Sequence, residues 1–373
     1  MRVFHCDHCQ NLLFFENIKC LNCDHALAFV PDAMDVRALQ PINNQLWQLP
    51  GSKSDGPKYR LCENYTTHNV CNWAVDANDP EPLCVSCRLT NIIPNLDNEN
   101  YKQAWYSLEQ AKRRLIYSLL ALNLPLSSKT EDPDRGVEFD FKADDPSDPN
   151  SIVLTGHANG VITINIAEAD DAERERRRVD LREPYRTVLG HFRHESGHYY
   201  WDRLIADGPR LDRFRELFGD EQVDYGAALN NHYQQGPPGD WQSRFVSAYA
   251  TSHPWEDWAE TWGHYLHMID TIEMARTAGF ALLPGRGDEP RVHPAKVHSN
   301  AKLAPFDGMM DYWNATTYFL NNLNRGLGQK DGYPFILSTP VVEKIRFVHQ
   351  ACLQETMFNE SAPAIAMVAA VPS

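Results

Sequence analysis

Apolar residues recur at helical spacing between Asn100 and Leu122, where Trp105, Leu108, Ala111, Leu115, Leu119 and Leu122 fall on one face. Asp97 or Asn98 is placed to cap that helix. Further on the period shortens to two. "GVEFDFKA" (136–143) alternates as a strand does, inside a Pro/Asp-rich loop at 129–150. "SIVLTGHANGVITINIAEAD" (151–170) reads as two strands joined at Asn159-Gly160, a pair suited to a type I′ turn. The helical period returns in "YRTVLGHFRHESGHYYWDRL" (185–204), with Tyr185, Val188, Leu189, Phe192 and Leu204 on a buried face. Further helices are predicted over about 209–218, 221–231, 239–248, 254–278, 309–325 and 339–353. Residues 31–60 and 277–308 read as irregular connections, and the small apolar tail at 361–373 is expected to be loosely held.

Cysteine, not periodicity, organises the first 97 residues. Eight of the nine cysteines fall there, as Cys6-x2-Cys9, Cys20-x2-Cys23, Cys62-x8-Cys71 and Cys84-x2-Cys87. Two CxxC turns each present two sulfurs, and together they complete a tetrahedral zinc shell. The second quartet is less regular but closes with the same CxxC turn. A disulfide framework would need an oxidising compartment. The opening "MRVFHCDHCQ" carries no apolar signal segment, so a cytoplasmic location is expected. Ribbons of this size are expected to lack an apolar core and to draw their folding energy from the metal. Closed four-thiolate shells leave no position for catalysis, and Cys352 reads as a core residue.

Charge narrows the choice of partner. The net charge is −15, and residues 1–97 hold seven Lys/Arg against eleven Asp/Glu, so nucleic-acid phosphates would be repelled. No run of 18 apolar residues predicts a membrane span.

The helix at 185–204 contains His194-Glu195-Ser196-Gly197-His198. Residues four apart share a helix face, so both imidazoles can reach one Zn2+ at about 2.0–2.1 Å. Glu195 is displaced around the helix, out of reach as a ligand. It is placed to take a proton from a zinc-activated water and pass it to a leaving amine. Gly197 costs about 1 kcal/mol relative to Ala in a helix, a cost that close approach of a second backbone would explain. The five residues also occur by chance, so their surroundings decide.

A catalytic zinc needs one more protein ligand. "YYWDRLIADG" after His198 excludes a third histidine at HExxHxxGxxH spacing. In "YATSHPWEDWAETWGHYLH" (249–267), Pro254 starts a helix with Glu256 and Asp257 in its first turn. Glu256 and Glu260 share a face among Trp255, Trp258 and Trp262, where two carboxylates need a cation or a donor. Either is a candidate ligand on these grounds, and a solvated acidic stripe is the alternative. His191, His264 and His267 read as hydrogen-bonding neighbours.

HESGH together with "YATSHPWEDWAE" resembles the glutamate zincins, with spacing similar to the catalytic domain of anthrax lethal factor. The resemblance implies Glu256 as third ligand, Glu260 as the carboxylate orienting a ligand histidine, and Tyr249 as stabiliser of the oxyanion. It further implies that "GVITINI" (160–166) is an edge strand along the cleft, ready to pair with extended substrate. Nearly the whole chain is also similar to a family of bacterial zinc-binding metallopeptidases with N-terminal zinc ribbons. The ribbons have no counterpart in lethal factor, so its substrate is not carried over.

The expectation is an α+β protein with a first ribbon at 1–35, a linker and second four-cysteine module at 36–97, and a mostly helical zincin-like domain with a small sheet at 98–373. It would hold one catalytic and two structural Zn2+, hydrolyse peptide bonds of a protein substrate, and meet a protein partner through the ribbons. Two readings compete: a non-catalytic ribbon protein with structural zinc at HESGH, and a zinc hydrolase of a non-peptide amide. The first has no use for Glu195; the second is not distinguished by the motif.

Overall fold

Short strands dominate the ribbon half. The computed structural model describes residues 2–145, 147–148, 152–180, 183–289, 291–293 and 305–359. Strands β1 (Phe4–His5) and β2 (Leu12–Leu13) form a hairpin ahead of a five-stranded antiparallel meander. Its strands are β3 (Ala26–Val30), β4 (Asp35–Pro41), β5 (Trp47–Gln48), β6 (Lys58–Leu61) and β7 (Ala74–Asp76), with one turn of helix, α1 (Glu63–Thr66), before β7. The meander curls back, so Phe29 of β3 bridges Trp73 just ahead of β7. Residues 31–60 are therefore not the irregular linker expected. They carry β4, β5 and most of β6, hidden because β4 and β6 do not alternate cleanly between buried and exposed positions and β5 has only two residues.

Helix α2 (Glu99–Ala121) starts at Asn98, whose side chain accepts from the Asn100 N–H. It buries the predicted face, and buries Glu109, Lys112 and Arg113 as well. The helix is covered on more sides than its apolar stripe indicates because the ribbons close over it. Strands β8 (Thr90–Ile92), β9 (Glu138–Lys142), β10 (Gly156–Ala158) and β11 (Val161–Asn165) form a second sheet in the order β10-β11-β9-β8. β11 runs parallel to β9 and antiparallel to β10. Asn159 and Gly160 turn the hairpin with φ of 51° and 81°, the left-handed values a type I′ turn needs. "GVITINI" is thus an interior strand, paired on both sides, and the free edge belongs to β10. The antiparallel hairpin turns the chain outward after β9 and moves the edge by one strand.

The remaining elements are helices α3 (Asp171–Asp180), α4 (Val188–Leu204), α5 (Leu211–Phe218), α6 (Tyr225–Gln235), α7 (Pro254–Thr277), α8 (Phe306–Gly326) and α9 (Thr339–Asn359). α3 buries no residue and escapes the search for an apolar stripe; Glu173–Arg176 and Glu175–Arg178 pairs lace its surface. The helix predicted over 239–248 is absent. Two 3-10 turns stand there and just after it, Trp241–Ser243 and Tyr249–Thr251, because "GPPGD" at 236–240 breaks the backbone ladder. His298 and the tail at 361–373 lie outside the described residues. Among the described residues no helix is long and apolar enough to cross a membrane.

The ribbons do not lack an apolar core; they share one. Phe4, Phe15, Phe29 and Trp73 belong to the same buried cluster as Tyr117 of α2, Phe192 of α4 and Trp258 of α7. Phe15 and Phe29 meet Tyr117 edge-on, with ring centroids 5.5 and 5.7 Å apart. The architecture is α+β, with a cysteine-bearing ribbon domain followed by a mostly helical domain with a sheet.

Candidate metal centres

None of the nine cysteines, all among the described residues, forms a disulfide. Cys6, Cys9, Cys20 and Cys23 converge, with Sγ separations of 3.7 Å for Cys6–Cys23 and 3.6 Å for Cys9–Cys20. Cys62, Cys71, Cys84 and Cys87 form a second, fully buried quartet, with 3.8 Å between Cys71 and Cys84. Four sulfurs at about 2.3 Å from a tetrahedral centre stand about 3.8 Å apart, against about 2.05 Å in a disulfide. Both quartets therefore fit zinc. In the second, backbone N–H groups of Trp73, Cys84 and Cys87 donate to cysteine sulfurs, as thiolate acceptors require.

The third centre lies between α4 and α7. Thr187 caps α4 by accepting from the Gly190 N–H. His253 caps α7, with Pro254 in its first turn. Gly197 lets the two helices close on each other: a Cβ there would stand 2.9 Å from the Ala259 Cα. Trp258 and Trp262 seal the seam, donating to the Gly197 carbonyl at 2.8 Å and to Ser196 Oγ at 3.1 Å.

Across this seam His194, His198 and Glu256 offer ligand atoms within 4.8 Å of one another. His194 Nδ1 lies 2.8 Å from Glu260 Oε1, which places its proton on Nδ1. The Nε2 lone pair then points at Glu256 Oε2, 2.9 Å away, while His198 Nε2 lies 3.5 Å from Glu256 Oε1. That Oε2 is buried and accepts no hydrogen bond. Lone pairs facing one another in a buried site call for a cation between them, so the donor set fits a divalent metal. Burial opposes charge at this point, yet the Glu256 and Glu260 carboxylates favour positive charge at His194, raising its pKa, and the two imidazoles hold the Glu256 carboxyl below its ordinary range, a field that suits a cation.

A cleft of about 440 Å³ opens onto this centre, lined by Glu195, Tyr249, Tyr225, His157, Asp202 and the edge strand β10. Glu195 is 8% exposed, and its burial pushes its carboxyl upward. The Tyr249 ring stands 5.9 Å from that of His194. Tyr225, which no motif marks in the sequence, donates from its hydroxyl to Glu256 Oε1 at 2.6 Å. His157, stacked 6.3 Å from His198, is likewise unmarked, whereas Asp202 lies one turn beyond His198 and is legible from helical spacing. His264 pairs with Tyr333 and His267 with Tyr185 and Arg193, each a hydrogen-bonding neighbour away from the cleft. His191 faces Glu168.

Sheet, helix pair and converging donors together define a metal-binding protein with a cysteine-rich N-terminal domain. Residues 101–351 match the family described as "Putative zinc-binding metallo-peptidase", and residues 3–98 match a zinc-ribbon domain. The chain belongs to this family of zinc-binding metallopeptidases, a membership that implies a protein or peptide substrate. It is 42% identical over 364 residues to uncharacterized proteins of Mycobacterium tuberculosis (strain ATCC 25618 / H37Rv) and Mycobacterium bovis, covering 97% of each chain. No solved structure matches it, and the likeness to anthrax lethal factor rests on motif spacing alone.

Proposed function

We propose that the protein is a zinc-dependent peptidase that hydrolyses peptide bonds of a protein substrate at the centre between α4 and α7. The observation that carries this reading is the buried Glu256 carboxylate set against the Nε2 lone pairs of His194 and His198. These three residues hold the catalytic ion, and Glu260 fixes the tautomer and orientation of His194. When bound, zinc supplies Lewis acidity that acidifies a water and polarises a carbonyl. Glu195, in the cleft wall, takes the proton of the attacking water and delivers it to the leaving nitrogen. Its raised affinity for a proton suits both halves of that transfer. Tyr249 donates its hydroxyl hydrogen to the developing oxyanion. β10, the free edge at the cleft, pairs with extended substrate through backbone hydrogen bonds.

The two cysteine quartets hold structural zinc, and the ribbon half serves as the surface for a protein partner, its acidic balance repelling nucleic acid. The test compares wild type with Glu195→Gln by metal analysis and by sequencing new N-termini in a treated lysate. Glu195→Gln keeps its full zinc content and loses cleavage by a factor on the order of 10² to 10⁴. Retained cleavage would refute the assigned base.

A further inference from the structure

One more donor cluster stands among the described residues. His8, Cys23 and His25 offer ligand atoms within 4.8 Å of one another, beside the first cysteine quartet. The sequence explains the convergence: His8 lies inside the first CxxC turn and His25 two residues past the second. When the two knuckles meet, so do the imidazoles, with ring centroids 4.1 Å apart and planes inclined by 32°. His25 Nδ1 faces the Cys23 carbonyl at 3.3 Å, which makes Nδ1 the donor and leaves the Nε2 lone pair for a ligand. His8 is exposed and His25 and Cys23 are half-buried, so an ion from solution has access. Nearby acids are engaged elsewhere: Asp7 accepts from Arg37 and the Ala38 N–H, and Asp24 pairs with Lys19.

We propose that His8 and His25, with the Cys23 thiolate as a bridge, form a surface site for an additional late first-row divalent ion such as Zn2+. The proposal rests on the reading that the first quartet holds zinc through Cys23. Four thiolates around one Zn2+ leave two surplus negative charges, and a bridged second cation offsets them. Two imidazoles and one thiolate are a donor set for zinc or its neighbours rather than for magnesium or calcium. Three protein ligands leave a position open to water, so this ion exchanges more readily than one in a closed four-thiolate shell. Mere stacking of two histidines over the ribbon would bind no ion.

The experiment uses the full chain. Zinc is counted on the isolated protein, which is then titrated with ZnCl2 by calorimetry, alongside His8→Ala and His25→Ala. The expected result is one further Zn2+ in wild type, weakened more than about 100-fold in both variants, beyond the roughly 10- to 100-fold that loss of an outer-sphere partner commonly costs. Both variants should retain the initial zinc of the wild type. Full initial zinc with no further uptake, or equal uptake in wild type and variants, overturns this site alone. Isolated protein lacking the ribbon zinc overturns the quartet assignment and this proposal with it.

Discussion

Glu256 faces both imidazoles with one carboxylate, and Tyr225 donates to it from a third element. Glu256→Ala should therefore lose about one zinc per chain while the ribbon zinc stays, because three protein ligands become two. Glu260→Gln acts on the ion through His194 Nδ1 and should keep that zinc with affinity lowered about 10- to 100-fold, read by chelator competition. Loss of the ion in Glu260→Gln and its retention in Glu256→Ala would transfer the ligand role. The sequence shows His194, His198, Glu256 and Glu260 because each pair lies four apart on a helix, where spacing alone puts side chains on one face. Tyr225 is not legible in this way. It lies 31 residues from Glu256, and its approach depends on the course of the chain between α6 and α7.

The seam between α4 and α7 sets the distance across which those candidate ligands meet, and Gly197 lets the helices approach. In Gly197→Ala the new Cβ would lie 2.9 Å from backbone, a contact side-chain motion does not relieve. Overpacking of this kind costs about 1–3 kcal/mol, against about 1 kcal/mol regained in helix propensity. Denaturant unfolding should show the loss, and the separated helices should hold the catalytic zinc less tightly; an unchanged zinc affinity would count against the seam as spacer. Before α4, Glu168 joins α3 to the following loop through Arg177 and Arg186, both at 2.8 Å. Burial alone would raise Glu168, but His191 and the two arginines outweigh it and hold the carboxyl below its ordinary range. Burial holds His191 itself to about 4, so at neutral pH the arginines carry the effect. A depressed folded pKa means stability present above the ordinary glutamate value, about 4.3, and lost as pH falls through the lower folded value. Glu168→Gln should flatten that acid limb in thermal unfolding measured from pH 6 to 3. The periodic elements, α2, α4, α7 and the I′ hairpin, are legible because each repeats apolar or ligand residues at helical spacing or needs one turn geometry. α3 and the ribbon strands are not, since charge pairs leave no apolar stripe and the strands are either very short or, like β4, buried at adjacent as well as alternate positions.

At the scale of the whole molecule the ribbons and the helical domain are one body of packing. That union is invisible in the sequence, because it joins Phe15, Phe29 and Trp73 to Tyr117 across roughly 40 to 100 residues of chain. Arg113 marks the junction most sharply. It comes from α2, is 2% exposed, and donates to the carbonyl of Val70, next to Cys71 of the second quartet. Burial alone would lower its pKa, yet Cys71 and Glu109 outweigh that and hold the guanidinium charged. A zinc in four buried thiolates leaves a surplus of two negative charges, and Arg113 is a cation set against them from the other domain. Arg113→Met keeps the side-chain length and removes the charge, leaving those thiolates less compensated. Removing one partner of a buried ionic arrangement costs about 3–5 kcal/mol. The expected result is a lower Tm for the whole chain in a single transition, together with easier loss of one zinc to a chelator. Catalytic turnover per folded molecule should stay at the wild-type level, since Arg113 does not line the cleft. A variant that melts in two steps, the helical domain unaffected, would show that the two halves fold independently despite their shared core.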